Sequence, residues 1–260
     1  YACAVIGQIV GQAAGREPAV SWRSFFTPLE TAMKRFVLLE TVPIPDTERA
    51  LCLFAYGEDF VIKIAGGDGN QLMNTRMHGS EDALAAIPCK KIADRPQPRV
   101  LIGGLGMGFT LASALLHLGA DAEVEVAELV PGVVQWNHGP LGAKSGYPLR
   151  DPRTRLLQDD VIRVLQGAPA QCYDAIMLDV DNGPEGLTHK GNAWLYSPAG
   201  LQQCFQALRP EGWLAVWSAS ADRPFAEKVR KAGFNVEEVQ VYAHGNRGTR
   251  HTIWIAQKAG

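Results

Sequence analysis

Four glycines within six residues, Gly103, Gly104, Gly106 and Gly108, follow the apolar run Arg99–Ile102. Leucines at helical spacing, Leu111, Leu115 and Leu118, come next. That order dictates strand, tight turn, helix. Glycine takes positive φ without steric cost, and bare amides at a helix start let a ligand come close. The spacing is Gly104-x-Gly106-x-Gly108, with Phe109 where the fingerprint G-x-G-x-x-G would carry its last glycine. A second strand-like run, Ala122–Ala127, ends at Glu128 and Leu129. An acid at that point can accept two hydrogen bonds from a ribose diol. Loop, strand and terminal acid together predict a site for a nucleoside-bearing cofactor rather than a plain strand-turn-helix corner.

Around this unit the chain alternates. A helix follows with Pro131 in its first turn. Thr154–Gln158 reads as a third strand ending at Asp159 and Asp160, with a short helix over Val161–Gln166. Tyr173–Val180 reads as a fourth strand, a continuous apolar run suited to the middle of a parallel sheet. A helix over Leu201–Leu208, a turn at Arg209–Gly212, a strand at Trp213–Trp217 and a helix over Phe225–Ala232 come next. Phe234–Val241 and Thr249–Ala256 close the chain as two strands. The pattern predicts an α/β fold, a Rossmann-like doubly wound sheet with an antiparallel C-terminal edge, over residues 95–260.

Before it, strand character at Phe36–Val42, Ala50–Tyr56 and Asp59–Ile64, with Gly57–Glu58 as a two-residue hairpin, predicts a small N-terminal β appendage over 34–94. Ser80 is placed to cap a short helix that runs until Pro88. The segment 1–33 stays undecided between a docking helix, a processed remnant and a loose end. Its apolar start lacks the basic head of a secretory signal.

With 25 Lys+Arg against 27 Asp+Glu and no long run of one sign, neither nucleic acid nor an acidic membrane surface is the expected partner. No apolar run reaches the ~18 residues of a spanning helix. The five cysteines are scattered and form no C-x-x-C pair, so buried thiols in the cytoplasm are expected. The six histidines show no metal-ligand spacing, and no metal is expected. A homodimer stays open as the assembly.

In a doubly wound sheet, ligands bind at the carboxyl ends of the strands. There stand the Gly103–Gly108 loop, Glu128, Asp159 with Asp160, and Asp179 with Asp181. Any one acid could be a helix cap or a solvated carboxylate. Four successive strand ends carrying glycines or acids are poorly explained by chance. Glu128 would hold a ribose, Asp160 could accept from an exocyclic adenine amine, and Asp179 points beyond the nucleoside to where a reacting group would sit.

The segments Arg99–Phe109, Val124–Pro131, Gln158–Val161, Tyr173–Asp181 and Leu195–Ser197 resemble, in order, the pattern of the spermidine synthase family, the polyamine aminopropyltransferases. That family is built on the class I S-adenosylmethionine-dependent methyltransferase fold. The likeness covers about residues 36–255. It implies aminopropyl transfer from decarboxylated S-adenosylmethionine to a small-molecule amine. It also implies that Gly103, Gly104, Gly106, Glu128, Leu129, Asp159, Asp160 and Asp179 hold the donor. Asp179, Asp181 and Tyr196 would act in catalysis, and Gln71, Asp181, Asn182, Trp194 and Tyr196 would meet the acceptor.

The chain departs from that pattern: the loop proline, Pro184, comes one residue late, Gln71 stands one residue closer to its aspartate, and three residue types change. Asn182 replaces the second acid of the D-x-x-D-P loop, Gly79 stands where a tyrosine is expected, and Met107 replaces an acid of the glycine loop. The last change makes intact S-adenosylmethionine more acceptable as donor. Methyl transfer on the same fold, and a catalytically silent nucleoside-binding relative, are therefore the competing readings.

Overall fold

The computed structural model describes residues 35–66, 71–180, 190–244 and 247–259. The segment 1–33, the turn residues Asp68–Asn70, and Asp181 and Asn182 lie outside them.

The larger sheet starts where the glycine stretch predicts. β5 (Arg99–Gly103), β6 (Glu123–Ala127), β7 (Thr154–Leu157), β8 (Tyr173–Leu178) and β9 (Leu208–Ser218) are parallel. β10 (Phe234–His244) and β11 (Arg247–Lys258) complete it by antiparallel pairing, giving the order β10-β11-β9-β8-β5-β6-β7. Every residue of β8 is buried, as its unbroken apolar run requires. Alternation along the strands divides the core. Val100 and Ile102 of β5 face one layer, and Leu101 faces the other. The first layer holds α1 (Gly79–Ile92), α2 (Phe109–His117) and α3 (Pro131–His138), and the short α4 (Pro140–Ser145) follows α3. The second layer holds α5 (Val161–Gly167), α6 (Pro198–Ala207) and α7 (Arg223–Lys231). This is the doubly wound sheet with an antiparallel edge.

A separate antiparallel meander, β1 (Phe36–Pro43), β2 (Ala50–Tyr56), β3 (Asp59–Ile64) and β4 (Gln71–Asn74), precedes it. The Gly57–Glu58 hairpin forms as expected, with Tyr56 opposite Asp59. Leu53 and Ile62 from this sheet join the first core layer. Two contacts fix the meander on α3. Trp136 Nε1 donates to Glu40 at 2.7 Å, and Val42 lies so close to Gly132 that a Cβ there would collide with it.

Three local expectations change. α1 begins at Gly79 with no side-chain cap, and the Ser80 hydroxyl donates to Glu81 instead. The same helix runs through Pro88 to Ile92, because Leu84, Ala85, Pro88, Cys89 and Ile92 form one buried face. That burial outweighs the hydrogen bond the proline forfeits. Arg209–Gly212 is a bulged start to β9 rather than a turn: Leu208 pairs with Tyr173, and Trp213 with Ala175. Glu211 absorbs the irregularity at φ 58°. Among the described residues no helix is long and apolar enough to cross a membrane.

Candidate functional site

The loop after β5 is shaped by two glycines. Gly104, at φ +92°, lies where any Cβ would strike the Asp179 carbonyl. The neighbouring hydrogen bonds, from Gly104 N to Ala127 O at 2.9 Å and from Asp179 N to Gly103 O at 2.8 Å, carry the sheet ladder past the strand ends. Gly108, at φ +84°, starts α2. Gly103 itself sits beneath the loop, where an added Cβ would press on Val161 and Leu178.

Two clefts open beside this loop. The first has a cavity volume of about 140 Å³ and runs between the meander and the strand ends. Gly104, Gly106, Glu128, Leu129, Asp160 and Asp179 line its sheet side. Ile44, Leu51, Ile62 and Ile64 supply an apolar wall from the meander, and Val130 and Val133 another from α3. The second, about 80 Å³, lies on the other side of the loop between Leu72, Met73, Leu105, Met107, Phe109 and Trp217. Its polar groups include Glu81, Thr110 and Asp179. Asp179 lines both clefts.

Glu128 is 7% exposed. One of its carboxylate oxygens accepts from Leu105 N at 2.9 Å and the other from Val130 N at 2.8 Å. It therefore ties the glycine loop to the start of α3 as well as facing the cleft. Burial pushes its pKa up, and the backbone donors pull the other way. A carboxylate has about four lone-pair sites, so two amides leave capacity for a diol. Asp160 caps α5 by accepting from Ile162 N at 2.8 Å, which uses one of its two oxygens. Asp179 accepts from Thr110 Oγ1 at 2.7 Å. Its pKa is pushed up to about 7, first by burial and then by the charge of Glu81. Glu81 is itself raised, chiefly by burial.

The remaining expected residues fall elsewhere. Asp159 is exposed, and it accepts from Asp160 N at 2.8 Å instead of lining a cleft. Gln71 is exposed on β4, and its neighbours Leu72 and Met73 line the clefts in its place. Tyr196 is 4% exposed in the second core layer, its ring edge-on to Phe225 at 5.9 Å. Trp194 packs against the same layer. Neither is among the described residues lining a cleft, because the 3₁₀ turn over Lys190–Trp194 places Asn192 there instead.

The structure adds Thr110 and Glu81 to the site. Thr110 has a local signal, since a polar residue in the first turn after a glycine loop faces the strand ends. Glu81 becomes a site residue only because α1 packs on α2.

No protein-family model matches the chain. Its fold matches solved spermidine synthases. The enzyme from Thermotoga maritima is 16% identical with a TM-score of 0.65, over 85% of this chain and 72% of that one. A spermidine synthase in complex with the transition state analogue AdoDATO is 17% identical with a TM-score of 0.68, over 85% and 74%. A probable spermidine synthase from Corynebacterium glutamicum ATCC 13032 is 16% identical with a TM-score of 0.58, over 89% and 81%. The architecture is thus that of the family whose sequence pattern the chain resembles.

Proposed function

We propose that this protein is a transferase that binds an S-adenosyl donor in the first cleft and passes its aminopropyl group to an amine in the second. The observation that carries this reading is Asp179, a single carboxylate lining both clefts with its pKa pushed up to about 7. The residues of the first cleft fit a nucleoside. Glu128 and Asp160 offer acceptors at adjacent strand ends, Gly104 and Gly106 leave room against the backbone, and the aliphatic wall suits a base. The relative with a bound transition-state analogue supports the same donor class. A bound donor of this type supplies a sulfonium whose attached carbon is electrophilic.

The chain's own part is to align and to move a proton. An amine arrives as ammonium and is not a nucleophile until it loses a proton. Asp179, held in place by the Thr110 hydroxyl, is poised to take that proton near neutral pH. Aligning donor and acceptor supplies much of the remaining rate. The four described cysteines are free and buried, in keeping with a cytoplasmic enzyme.

A second reading is methyl transfer from intact S-adenosylmethionine. It is favoured by Met107, which gives the second cleft a thioether where the resembled pattern has an acid. Incubation with a pool of small amines and either donor, followed by mass analysis, separates the two. Aminopropyl transfer adds three carbons and one nitrogen, and methyl transfer adds one carbon. The expected product carries the aminopropyl mass; a methylated product would reverse the assignment, and no product from either donor would reject both.

A further inference from the structure

Asn137 stands in the last turn of α3 and is 1% exposed. Its Nδ2 donates to two carbonyls at 2.9 Å each: Val133 O, one turn back in the same helix, and Gly106 O in the glycine loop. Carbonyls only accept, so these partners fix which end of the amide is nitrogen. Among the described residues Oδ1 meets no donor. It lies against the loop instead, where a Cβ added to Gly108 would stand 2.7 Å from it. A buried acceptor without a partner is costly, and a leucine of similar volume would carry no such cost. The cost is offset only by what Nδ2 holds, and its partner outside α3 is the loop.

Leu105–Gly108 is a tight turn closed by Gly108 N, which donates to Leu105 O at 2.8 Å. Of its two central residues, only Gly106 takes positive φ, at +50°, the turn pattern in which glycine leads. The turn is gripped from both ends of α3. Before the helix, Glu128 accepts from Leu105 N and from Val130 N. In its last turn, Asn137 takes the carbonyl of Gly106, which lines both clefts. Gly142 of α4 packs so closely on the Asn137 carbonyl that a Cβ there would collide with it, which fixes the backbone from which the side chain reaches.

We propose that Asn137 is a positioning residue that holds the Leu105–Gly108 turn in the shape that receives the donor. This rests on the reading of the first cleft as the donor site. Asn137 is not among the described residues lining either cleft; it acts through Gly106, by fixing the plane of the Gly106–Met107 peptide. Without that bond the Gly106 carbonyl loses its partner, and the turn opens more often than the fold around it.

Two variants separate the loop from the helix. Asn137→Leu keeps the volume and loses both bonds. Asn137→Ser bonds back to Val133 O, as serine does within helices, and is too short to reach Gly106 as well. Gln203→Met is the matched control. It also removes a side-chain amide from a backbone carbonyl, Leu165 O at 2.7 Å, but between α6 and α5. Calorimetry with methylthioadenosine should show affinity lowered about tenfold in both Asn137 variants and unchanged in the control. Amide hydrogen exchange, corrected for global stability by urea unfolding, should show Leu105 and Gly108 exchanging about tenfold faster in the same two variants only. Either readout unchanged in both variants would overturn the proposal, as would equal losses in Gln203→Met. An unaltered protein that takes no methylthioadenosine would reject the donor reading, and the exchange rates would then decide the role of Asn137. Should Asn137→Leu not fold, Asn137→Ser carries the test.

Discussion

At the amino-terminal side of the parallel strands, Asp174 and Glu125 are 1% and 2% exposed. At the carboxyl side, Glu128 is 7% exposed and Asp179 is half-buried between two clefts. The two sets of acids differ in what meets them. Asp174 accepts from Arg95 at 2.8 Å, from Arg209 at 2.6 Å and from Arg99 N at 2.8 Å. Glu125 accepts from Arg99 at 2.8 Å, from Arg155 at 3.0 Å and from the Tyr173 hydroxyl at 2.5 Å. Among the described residues, no Lys or Arg pairs with Glu81, Glu128 or Asp179; their partners are hydroxyls and backbone amides. Guanidinium partners hold a buried acid in a fixed, charge-paired position, which suits a structural joint. Neutral donors leave it desolvated and close to proton exchange, which suits chemistry.

The largest expected effect tests the structural end. Asp174→Asn removes the carboxylate from two guanidiniums and should cost about 2–3 kcal/mol in urea unfolding at pH 7, the partial exposure of both arginines trimming the full penalty. Affinity of the folded protein for methylthioadenosine should not change. A stable variant would mean that the arginine pairing is ornamental and would erase the contrast.

Asp179→Asn tests the other end in the opposite sense. It preserves shape and should lower transfer by about 10²-fold, or about 2.7 kcal/mol of barrier, with nucleoside affinity nearly retained. Single-turnover product mass reads this directly. A rate within a few-fold of the parent would show that the proton leaves by another route.

Glu128 belongs to both worlds. Glu128→Ala should weaken methylthioadenosine binding at least about tenfold, about 1.4 kcal/mol, and should also lower stability by about 1–2 kcal/mol as two buried amides lose their acceptor. The bonds from Leu105 N and Val130 N to the Glu128 carboxylate are the reason to expect the loss of stability. Calorimetry and chemical unfolding on the same preparation separate the two losses, and unchanged affinity would place Glu128 outside the site.

The smallest effect is a pH dependence. Asp179 has its pKa raised from 3.8 to about 7, so the folded chain holds a proton that the unfolded chain releases across that window. Its contribution to stability is present at low pH and is lost as pH rises through about 7. Asp179→Asn, which carries no charge, should therefore melt a few degrees higher than the parent at pH 8, about 1–2 kcal/mol, with the difference closing near pH 4. A difference in melting temperature that ignores pH would refute the assignment of this carboxyl.

The sequence by itself determined the sheet, the glycine loop, and the acids at three strand ends. These are local properties: period-2 burial, positive φ at glycines, and the fact that a residue just past a parallel strand lies on the binding edge. It could not separate Asp174 from Asp179, two acids at the two ends of one apolar strand. Only packing decides which receives Arg95 and Arg209 and which receives Thr110. Nor could it place Tyr196 in the core against Phe225, or bring Glu81 from the first turn of α1 to the cleft that Asp179 lines. Those outcomes depend on how α1 lies on α2 and α6 on β9. Such contacts join residues far apart in the chain, and only side-chain volume and burial fix them.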